Sequence, residues 1–234
     1  LTDIPEEGNG SEVPSPLENI TAEGLNFAYE EGTPVLEDLS QSFERDKIYC
    51  LAGRNGSGKS TLADILLGLY VSDGNDAVKY NGVPLRDIDL YRMRAQTIGV
   101  SEQEPMMLRG SIGFNITCRE NGERDEERLK ELLEMVDFWK GEVDVQNLDT
   151  LLALNANELS GGQKQKVSIV KALYKDPELL VLDEPTSALD AESRKRLAEY
   201  LKAHTKGRIT ILVSHDKELL DIADEVVHLG KELA

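Results

Sequence analysis

The sequence predicts an α/β fold built on a mostly parallel sheet. Short apolar runs alternate with segments of helical spacing, which is the pattern of strands joined by helices. Four of these runs are followed at once by polar residues that can do chemistry. Because ligands bind beyond the carboxyl ends of the strands in open α/β sheets, this pattern also predicts a binding site along one edge of the sheet.

The composition is that of a folded, acidic protein. The chain has 234 residues, of which 40% are hydrophobic, and 26 basic against 44 acidic side chains give a formal net charge of −18. A chain of this length and apolar content buries a sizeable core, which excludes general disorder. The acidic balance argues against a protein that binds nucleic acid by neutralising phosphates, so no nucleic-acid partner is expected.

The first segment shows no apolar periodicity. Residues 1–18 contain several prolines, glycines and acids, which predicts a linker or tail, and the folded domain is expected over 19–234. The stretches 24–29 and 35–43 then alternate between apolar and polar residues. That alternation predicts an antiparallel sheet beside the main one.

The strands of the main sheet are predicted from four short, uncharged runs, at residues 48–52, 97–101, 179–182 and 209–213. A helix over 59–69 is expected after the first run. In the middle of the chain, Leu129, Leu132, Leu133 and Val136 recur at helical spacing. We therefore expect a helical subdomain, at about 104–165, inserted into the α/β core.

The loop after the first strand matches the phosphate-binding pattern G-x-x-x-x-G-K-[ST]. Its residues are Gly53, Arg54, Asn55, Gly56, Ser57, Gly58, Lys59 and Ser60. The glycines allow several backbone N–H groups to turn inward around an anion, and the following helix adds its N-terminal dipole. Lys59 would bring a positive charge to the β- and γ-phosphates, and the Ser60 hydroxyl would bind Mg²⁺. The alternative is a glycine-rich turn with a surface lysine.

Three further groups follow the other strands. Asp183 ends the third strand, where a second ligand for Mg²⁺ is expected, and Glu184 would polarise an attacking water. The alternative is a pair of solvated acids that open a turn at Pro185. Gln103 and His215 follow the second and fourth strands. Each is ambiguous alone, but their shared position at the carboxyl edge favours a functional role.

A second candidate anion site lies before a helix predicted over 164–174. Ser160, Gly161 and Gly162, followed by Gln163, place a hydroxyl and two glycines at a helix N-terminus. The plain alternative is a helix cap after a loop. One explanation for a second phosphate-type site is that it completes the site of another copy of the chain.

Together and in order, these segments resemble the nucleotide-binding domain of an ATP-binding cassette transporter. The similarity rests on residues 53–61, Gln103, residues 159–163, 179–184 and 187–190, and His215, and it extends over about 20–229. It implies a P-loop NTPase (RecA-like) core with a parallel sheet, an antiparallel β subdomain and a helical signature subdomain. It also implies a Mg²⁺-dependent ATPase whose hydrolysis of ATP is coupled to transport.

The resemblance implies a role for each matching residue. Two domains would close head to tail around two ATP molecules, and Ser160, Gly161, Gly162 and Gln163 of one would touch the γ-phosphate held by the other. Glu184 would be the catalytic base, His215 would hold the γ-phosphate, and Gln103 would contact Mg²⁺ and the water. The remaining roles fall on Tyr29 as the adenine-stacking aromatic, Thr61 in the phosphate loop and Asp190 in the loop that crosses the dimer seam. A plain exposed strand residue is the alternative for Tyr29.

The subtype resembles that of exporters. Residues 110–116 and 148–150 are similar to exporter patterns, and residues 1–18 stand where the last helix of a fused transmembrane domain would enter. A domain on the cytoplasmic face of a bacterial cell membrane is therefore expected. The chain departs from the pattern at 151–157, where a Gly-Glu turn is usual, and at Lys164 and Lys166, where arginine is frequent. The transported substrate, and whether the partner domain is identical or different, stay open.

Three other functions are compatible with parts of the pattern. A soluble cassette ATPase for DNA repair, chromosome handling or translation would usually carry long insertions or a second cassette, and its nucleic acid would oppose the acidic charge. A module that binds ATP without hydrolysing it is disfavoured by Glu184 and His215. A separate importer subunit differs in architecture, because its membrane domain is a different chain.

Overall fold

The computed structural model describes residues 10–30, 32–70, 76–119, 124–138 and 153–230. Its strands are β1 (Asn19–Ala28), β2 (Pro34–Glu44), β3 (Lys47–Ala52), β4 (Val78–Tyr80), β5 (Val83–Pro84), β6 (Ile98–Ser101), β7 (Leu179–Asp183), β8 (Ile209–Val213) and β9 (Glu225–His228). Its helices are α1 (Lys59–Leu66), α2 (Leu90–Gln96), α3 (Ile112–Thr117), α4 (Glu126–Met135), α5 (Gly161–Tyr174), α6 (Ala191–Ala203) and α7 (Lys217–Leu220). Short 3₁₀ turns lie at Leu85–Asp87 and Ala156–Glu158.

The main sheet has five strands in the order β6-β7-β8-β3-β9, and every neighbouring pair is parallel. The four predicted strands are confirmed, and they lie side by side. The fifth strand, β9, was not predicted, because its charged ends leave only two central valines as an apolar signal. The α/β prediction is therefore confirmed, with one edge strand added next to β3.

A hydrophobic core lies on each face of the main sheet. Side chains alternate between the two faces, so Ile48 and Cys50 of β3 join one core, whereas Tyr49 and Leu51 join the other. The first core is closed by α3 to α7, and the second by α1, α2 and the antiparallel sheet. Burial on both faces explains why β7 and β8 are apolar almost throughout.

The second sheet is antiparallel and has four strands in the order β2-β1-β4-β5. The long strands β1 and β2 form a hairpin, and β4 pairs with the other edge of β1. The antiparallel sheet predicted from 24–29 and 35–43 is confirmed. Strand β1 begins five residues earlier than the pattern indicated and ends one residue earlier, and β2 is longer by one residue at each end. It packs its buried side chains, such as Ile20, Leu25 and Phe43, against the core beneath α1.

The predicted helical region contains α3, α4 and the first turn of α5, and α3 and α4 each pack on α5. Helix α4 is capped by Asp125, whose carboxylate accepts a hydrogen bond from the N–H of Arg128. Leu129, Leu132 and Leu133 are fully buried, as their spacing predicted. Residues 148–152, to which part of the exporter comparison refers, lie outside the described residues.

The segment before β1 differs from the expected linker over residues 12–17. The Leu17 side chain is fully buried, and its N–H donates to a carboxylate oxygen of Glu178 at 2.5 Å. The Ser15 hydroxyl donates to the other Glu178 oxygen at 2.7 Å, and Glu12 pairs with the backbone beside Ile88. One apolar residue and a few backbone bonds anchor this segment without any periodic pattern, which is why composition suggested a tail.

Among the described residues, we find no helix with the length and apolar content that crossing a bilayer requires.

Candidate nucleotide-binding site

The candidate site lies along one edge of the main sheet. Strands β6, β7, β8 and β3 are consecutive and parallel, so their carboxyl ends meet at the same edge. The residues that follow them are Gln103, Asp183 with Glu184, His215, and the loop that begins at Gly53. The topology therefore brings the sequence-predicted residues of all four strands to one side of the molecule.

The phosphate-binding loop joins β3 to α1 and needs glycine at fixed points. Gly53, Gly56 and Gly58 have φ values of +150°, +80° and +92°. A Cβ on Gly58 would lie 2.8 Å from a methyl carbon of Leu36, and one on Gly53 would lie 2.4 Å from the carbonyl oxygen of Leu229. Left-handed conformations turn successive N–H groups toward one side, which forms a cavity for an anion at the start of α1.

The Lys59 ammonium lies over this loop. Its Nζ donates to the carbonyl oxygens of Gly53, at 2.9 Å, and Arg54, at 3.1 Å. These bonds hold the charge at the mouth of the loop, where a phosphate group would offer a stronger, charged acceptor. The loop itself is closed by a hydrogen bond from the Ser57 N–H to the Arg54 carbonyl.

Asp183 and Ser60 are placed to bind a divalent cation. Burial raises the pKa of the Asp183 carboxylate, although the neighbouring Ser60 hydroxyl and the charge of Lys59 act in the opposite direction. Its Oδ1 atom is buried and has no hydrogen-bond partner. A buried acceptor without a donor fits a cation site, and Mg²⁺ is commonly held by one or two carboxylates together with phosphate oxygens.

Within the described residues, no cluster of three or more His, Cys, Asp or Glu side chains forms a metal site by itself. A cation at Asp183 would therefore take its remaining ligands from the Ser60 hydroxyl, from nucleotide phosphates and from water. That composition is the usual one for Mg²⁺ bound with a nucleotide.

Glu184 and His215 face each other across the ends of β7 and β8. The Oε1 atom of Glu184 lies 3.1 Å from Nδ1 of His215. Glu184 has a φ of +45°, which is unusual for a residue with a side chain, and its N–H donates to the carbonyl oxygen of Val213 at 2.8 Å. This backbone conformation turns the carboxylate toward β8, and such strained positions occur often at functional sites.

The pair lines an open cleft of about 350 Å³ beyond the sheet edge. The other lining residues are Thr186, Ser187, Arg194, Asp216, Lys217 and Glu218. The Glu184 side chain is mostly buried at 17% exposure, whereas the imidazole of His215 is 85% exposed. The carboxylate is thus available to accept a proton from water in the cleft, and the imidazole is free to reach a ligand.

Gln103 lies in a neighbouring cleft. This second cleft has a volume of about 430 Å³ and is lined by Gln103, Met106, Gly161 and Lys164 among others. Ser187 lines both clefts, so the two adjoin. The structure places Gln103 beside the site but not in the cleft of Glu184 and His215, and its predicted contact with Mg²⁺ stays a prediction.

Tyr29 stands next to the phosphate loop. It is 56% exposed, and its hydroxyl is hydrogen-bonded to the Thr61 hydroxyl at 2.9 Å. Its ring meets those of Phe27 and Tyr70 edge to face, with centroids 5.0 and 5.4 Å away. The exposed face of Tyr29 is available for stacking against a flat ligand. Sequence reasoning missed Phe27 and Tyr70, since Tyr70 follows α1 with no signal that it returns to β1.

The signature residues, 159–163, lie at the start of α5. The Ser160 hydroxyl accepts a hydrogen bond from the Gln163 N–H at 3.3 Å, and the Gln163 side chain accepts one from the Ser160 N–H at 2.8 Å. This is a capping box, so the helix-cap interpretation of Ser160 is confirmed. A Cβ on Gly161 would meet no described residue within 4 Å, so this part of the structure leaves space open above the helix start. The cap and an anion site are therefore compatible.

Asp190 begins α6 in the same way. Its carboxylate accepts the N–H of Ser193 at 2.7 Å, and this bond lowers the pKa of Asp190. Asp190 has a clear structural role as a helix cap. Its expected place at a dimer seam stays a prediction.

The family model described as ABC transporter matches residues 36–187, which is more than half of the chain. The chain belongs to the ABC transporter family. The matched part contains the phosphate loop, Gln103, the signature and Glu184, and it ends before His215. The predicted resemblance to an exporter-like nucleotide-binding domain is confirmed.

Among its ABC relatives are ATP-dependent lipid A-core flippases. That of Hahella chejuensis is 34% identical over 226 residues, covering 95% of this chain and 38% of the relative. That of Alcanivorax borkumensis is 32% identical over 214 residues, covering 91% and 36%. The chain thus spans less than two fifths of the length of these relatives.

The fold is that of a solved ABC structure. The bacterial Atm1-family ABC exporter with ATP bound superposes with a TM-score of 0.82 at 23% identity, over 95% of this chain and 39% of that one. This likeness confirms the predicted fold class, a P-loop NTPase core with a β subdomain. The flippase relatives are named as ATP-dependent proteins.

Two contributions to the ABC site were not predicted from the sequence. Leu229, just after β9, packs its carbonyl against Gly53 and supports the phosphate loop from below. Arg194, in the first turn of α6, reaches both loops of the Glu184 cleft. Leu229 follows an edge strand of only four residues, and Arg194 is one of several charged residues in α6. Neither position can be distinguished from an ordinary surface position by sequence alone.

Proposed function

We propose that this chain is the ATP-hydrolysing domain of an exporter, fused to a transmembrane domain that precedes it. The observation that carries the proposal is the meeting of four strand ends, which puts the phosphate loop, Asp183 and the Glu184–His215 pair on one edge. Membership of the ABC family and the flippase relatives support the coupling of hydrolysis to export. The cytoplasmic face of a bacterial cell membrane is the expected location.

The phosphate loop would bind ATP through its backbone. The N–H groups of residues 53–60 surround the phosphates, Lys59 shifts from the Gly53 and Arg54 carbonyls to phosphate oxygens, and Thr61 follows at the start of α1. The exposed ring of Tyr29 would stack on the adenine. These contacts fix the nucleotide before any chemistry takes place.

Ser60 and Asp183 would hold Mg²⁺, with Gln103 as the third expected side-chain ligand. The bound ion supplies positive charge to the β- and γ-phosphate oxygens. The buried, unpartnered oxygen of Asp183 supports this assignment, because an ion would give that atom its missing partner.

Glu184 would orient the attacking water and accept its proton. His215 lies 3.1 Å from that carboxylate through Nδ1. A neutral imidazole carries one N–H, so donation from the other ring nitrogen to the γ-phosphate would require the ring to give up its Nδ1–H bond to Glu184. The cleft beside the pair, about 350 Å³ in volume, is large enough to admit water next to the carboxylate. The two side chains thus divide the work, one on the nucleophile and one on the group that is transferred.

A second nucleotide-binding domain, identical or different, would complete the site. Ser160, Gly161, Gly162 and Gln163 would approach the γ-phosphate of the partner domain, and Asp190 would lie at the seam. The open space above Gly161 supports this role, because none of the described residues comes within 4 Å of a Cβ at that position. Two copies arranged head to tail give each site both a phosphate loop and a signature.

The test is ATP hydrolysis by the chain with Mg²⁺ over a wide range of protein concentrations. Specific activity should rise with concentration as dimers form, and Glu184→Gln should bind ATP but hydrolyse it at least about a hundredfold more slowly. Lys59→Ala should lose nucleotide binding. Parent-like hydrolysis by Glu184→Gln would contradict the assigned base, and ATP binding by Lys59→Ala would contradict the assigned loop.

A further inference from the structure

We propose that Arg194 is a positioning residue that clamps the loop after β7 to the loop after β8, and so holds His215 opposite Glu184. The proposal rests on the proposed function, since it concerns the same hydrolytic site. It goes further by naming a residue outside the phosphate loop, the signature and the catalytic pair on which the geometry of the site depends.

Arg194 contacts both loops at once. Its Nε donates to the carbonyl oxygen of Leu189 at 3.0 Å, in the loop between Glu184 and α6. Its Nη1 lies 3.5 Å from the Oδ2 atom of Asp216, the residue directly after His215. A guanidinium has its donors fixed in one plane, so the two contacts set the separation of the two loops.

The position of Arg194 in α6 makes a purely surface role a poor explanation. The residue lies in the first turn, where its N–H bonds to the Asp190 carbonyl at 2.9 Å. The helix dipole presents positive charge at this end, so a cation there is normally disfavoured. The Leu189 carbonyl and the Asp216 carboxylate offset that penalty, and the side chain lines the cleft while 39% of it stays exposed.

Asp216 is itself held firmly. Its side chain is 11% exposed, and its Oδ1 accepts the N–H of Glu218 at 3.0 Å as the cap of α7. Its own N–H donates to the Ser214 hydroxyl at 3.1 Å. Burial acts to raise the pKa of Asp216, but hydrogen bonds and the charge of Arg194 outweigh it, so the pKa is lowered and the carboxylate stays charged. Because Asp216 is held by these bonds, a change in its position would also shift the adjoining backbone of His215.

The clamp also connects the two sides of the site. The loop that ends in Leu189 continues into Asp190, which caps α6 and is expected at the seam with a partner domain. Arg194 ties this loop to His215 through Asp216. A partner that displaces the loop would, through this connection, change how His215 meets the γ-phosphate.

The test is a double-mutant cycle on ATP hydrolysis. Arg194→Gln and Asp216→Asn each remove one charge, and the asparagine still caps α7. We expect each variant to lower kcat about three- to tenfold with ATP affinity unchanged, because neither residue touches the phosphate loop. The kcat of the double variant should be no lower than that of the less active single variant. A double variant whose loss equals the product of the two single losses would overturn the proposal.

Two more variants separate positioning from charge. Lys195→Gln removes the same charge from the neighbouring residue of α6, which is 73% exposed and pairs with Glu199 at 3.8 Å. It should hydrolyse ATP like the parent. Arg194→Lys keeps the charge and should recover part of the activity lost in Arg194→Gln. Equal losses in Lys195→Gln and Arg194→Gln would show a general charge effect and contradict the clamp.

A second measurement needs no nucleotide. Hydrogen exchange of the peptides spanning 184–190 and 214–218 should accelerate in Arg194→Gln and in Asp216→Asn, and not in Lys195→Gln. Unchanged exchange in both clamp variants would overturn the proposal. If the parent chain binds ATP but does not hydrolyse it, accelerated exchange in the two clamp variants would still support the clamp, and the failure would lie with the proposed function.

Discussion

Single residues in the site are held in backbone conformations that most side chains resist. Gly58 closes the phosphate loop at a φ of +92°, and Glu184 sits at +45° with a full side chain. For Gly58 the reason is space as well as torsion, because Leu36 lies directly beneath it. For Glu184 the strain places the carboxylate beside His215, and the surrounding bonds to β8 maintain it.

Gly58 and Gly56 form a matched pair for a substitution test. Both have positive φ, so alanine at either should cost about 1 kcal/mol in the free energy of unfolding. At Gly58 the new methyl group would also clash, 2.8 Å from Leu36, whereas a methyl group at Gly56 would have no described residue within 4 Å. Chemical denaturation should show Gly58→Ala to be less stable than Gly56→Ala, and equal losses would contradict the close packing of the loop.

The two cysteines should differ in reactivity. Burial raises the pKa of Cys50 to about 11, and Cys118 is exposed. At pH 8 only about one Cys50 side chain in a thousand would be thiolate, which is the reactive form. Iodoacetamide should therefore modify Cys118 in the folded chain and Cys50 only after unfolding, as peptide mass analysis would show. The pKa of Cys50 is higher in the folded chain than in the unfolded chain, so the free energy of unfolding should fall as pH rises from about 9 toward 11.

At the scale of elements, the sequence predicted the buried strands of the main sheet because their short apolar runs contain no charged residue. Strand β9 escaped prediction because an edge strand needs few apolar residues, and its role under Gly53 depends on a contact with a distant part of the chain. Helix α5 begins at Gly161, three residues before the predicted start, because the capping box formed by Ser160 and Gln163 includes the two glycines in the first helical turn.

The site was predictable to the same extent. The loop, Asp183, Glu184 and His215 each follow a strand, so sequence order and the rule for parallel sheets were enough to group them. Arg194 and Tyr70 were not found, since each reaches the site from a helix or its end by side-chain contacts alone. Contacts between residues distant in sequence leave no local pattern in one sequence.

The segment before β1 offers a test at this scale. Leu17 is fully buried, so Leu17→Ala should lower the free energy of unfolding by about 2 to 5 kcal/mol through lost contacts and a cavity. Leu108 is 55% exposed, and Leu108→Ala should change it by less than about 0.5 kcal/mol. Denaturant titration of the two variants would decide, and equal stability would return residues 12–17 to the status of a tail.

At the scale of the whole molecule, the net charge of −18 is the dominant long-range feature. Like charges repel in the compact state, and the described ion pairs are mostly exposed, so each contributes little. Repulsion between the acidic side chains therefore lowers the free energy of unfolding at low ionic strength.

This repulsion predicts a salt effect of definite sign. The melting temperature should rise between about 0.02 M and about 0.3 M salt, over which the screening length falls from above 20 Å to below 10 Å. Sodium and choline chloride should act alike, because screening does not depend on the cation. A melting temperature that falls with salt would show that ion pairs outweigh repulsion.

The support of Gly53 by Leu229 has a consequence for how the chain folds during its synthesis. The phosphate loop leaves the ribosome long before the strand that lies beneath it, and β3 has neither of its sheet neighbours, β8 and β9, until late in translation. A nascent chain therefore carries the nucleotide-binding motif without the nucleotide-binding site. ATP would bind only after the whole domain has folded, so it would stabilise the finished domain and would not assist the early steps of folding.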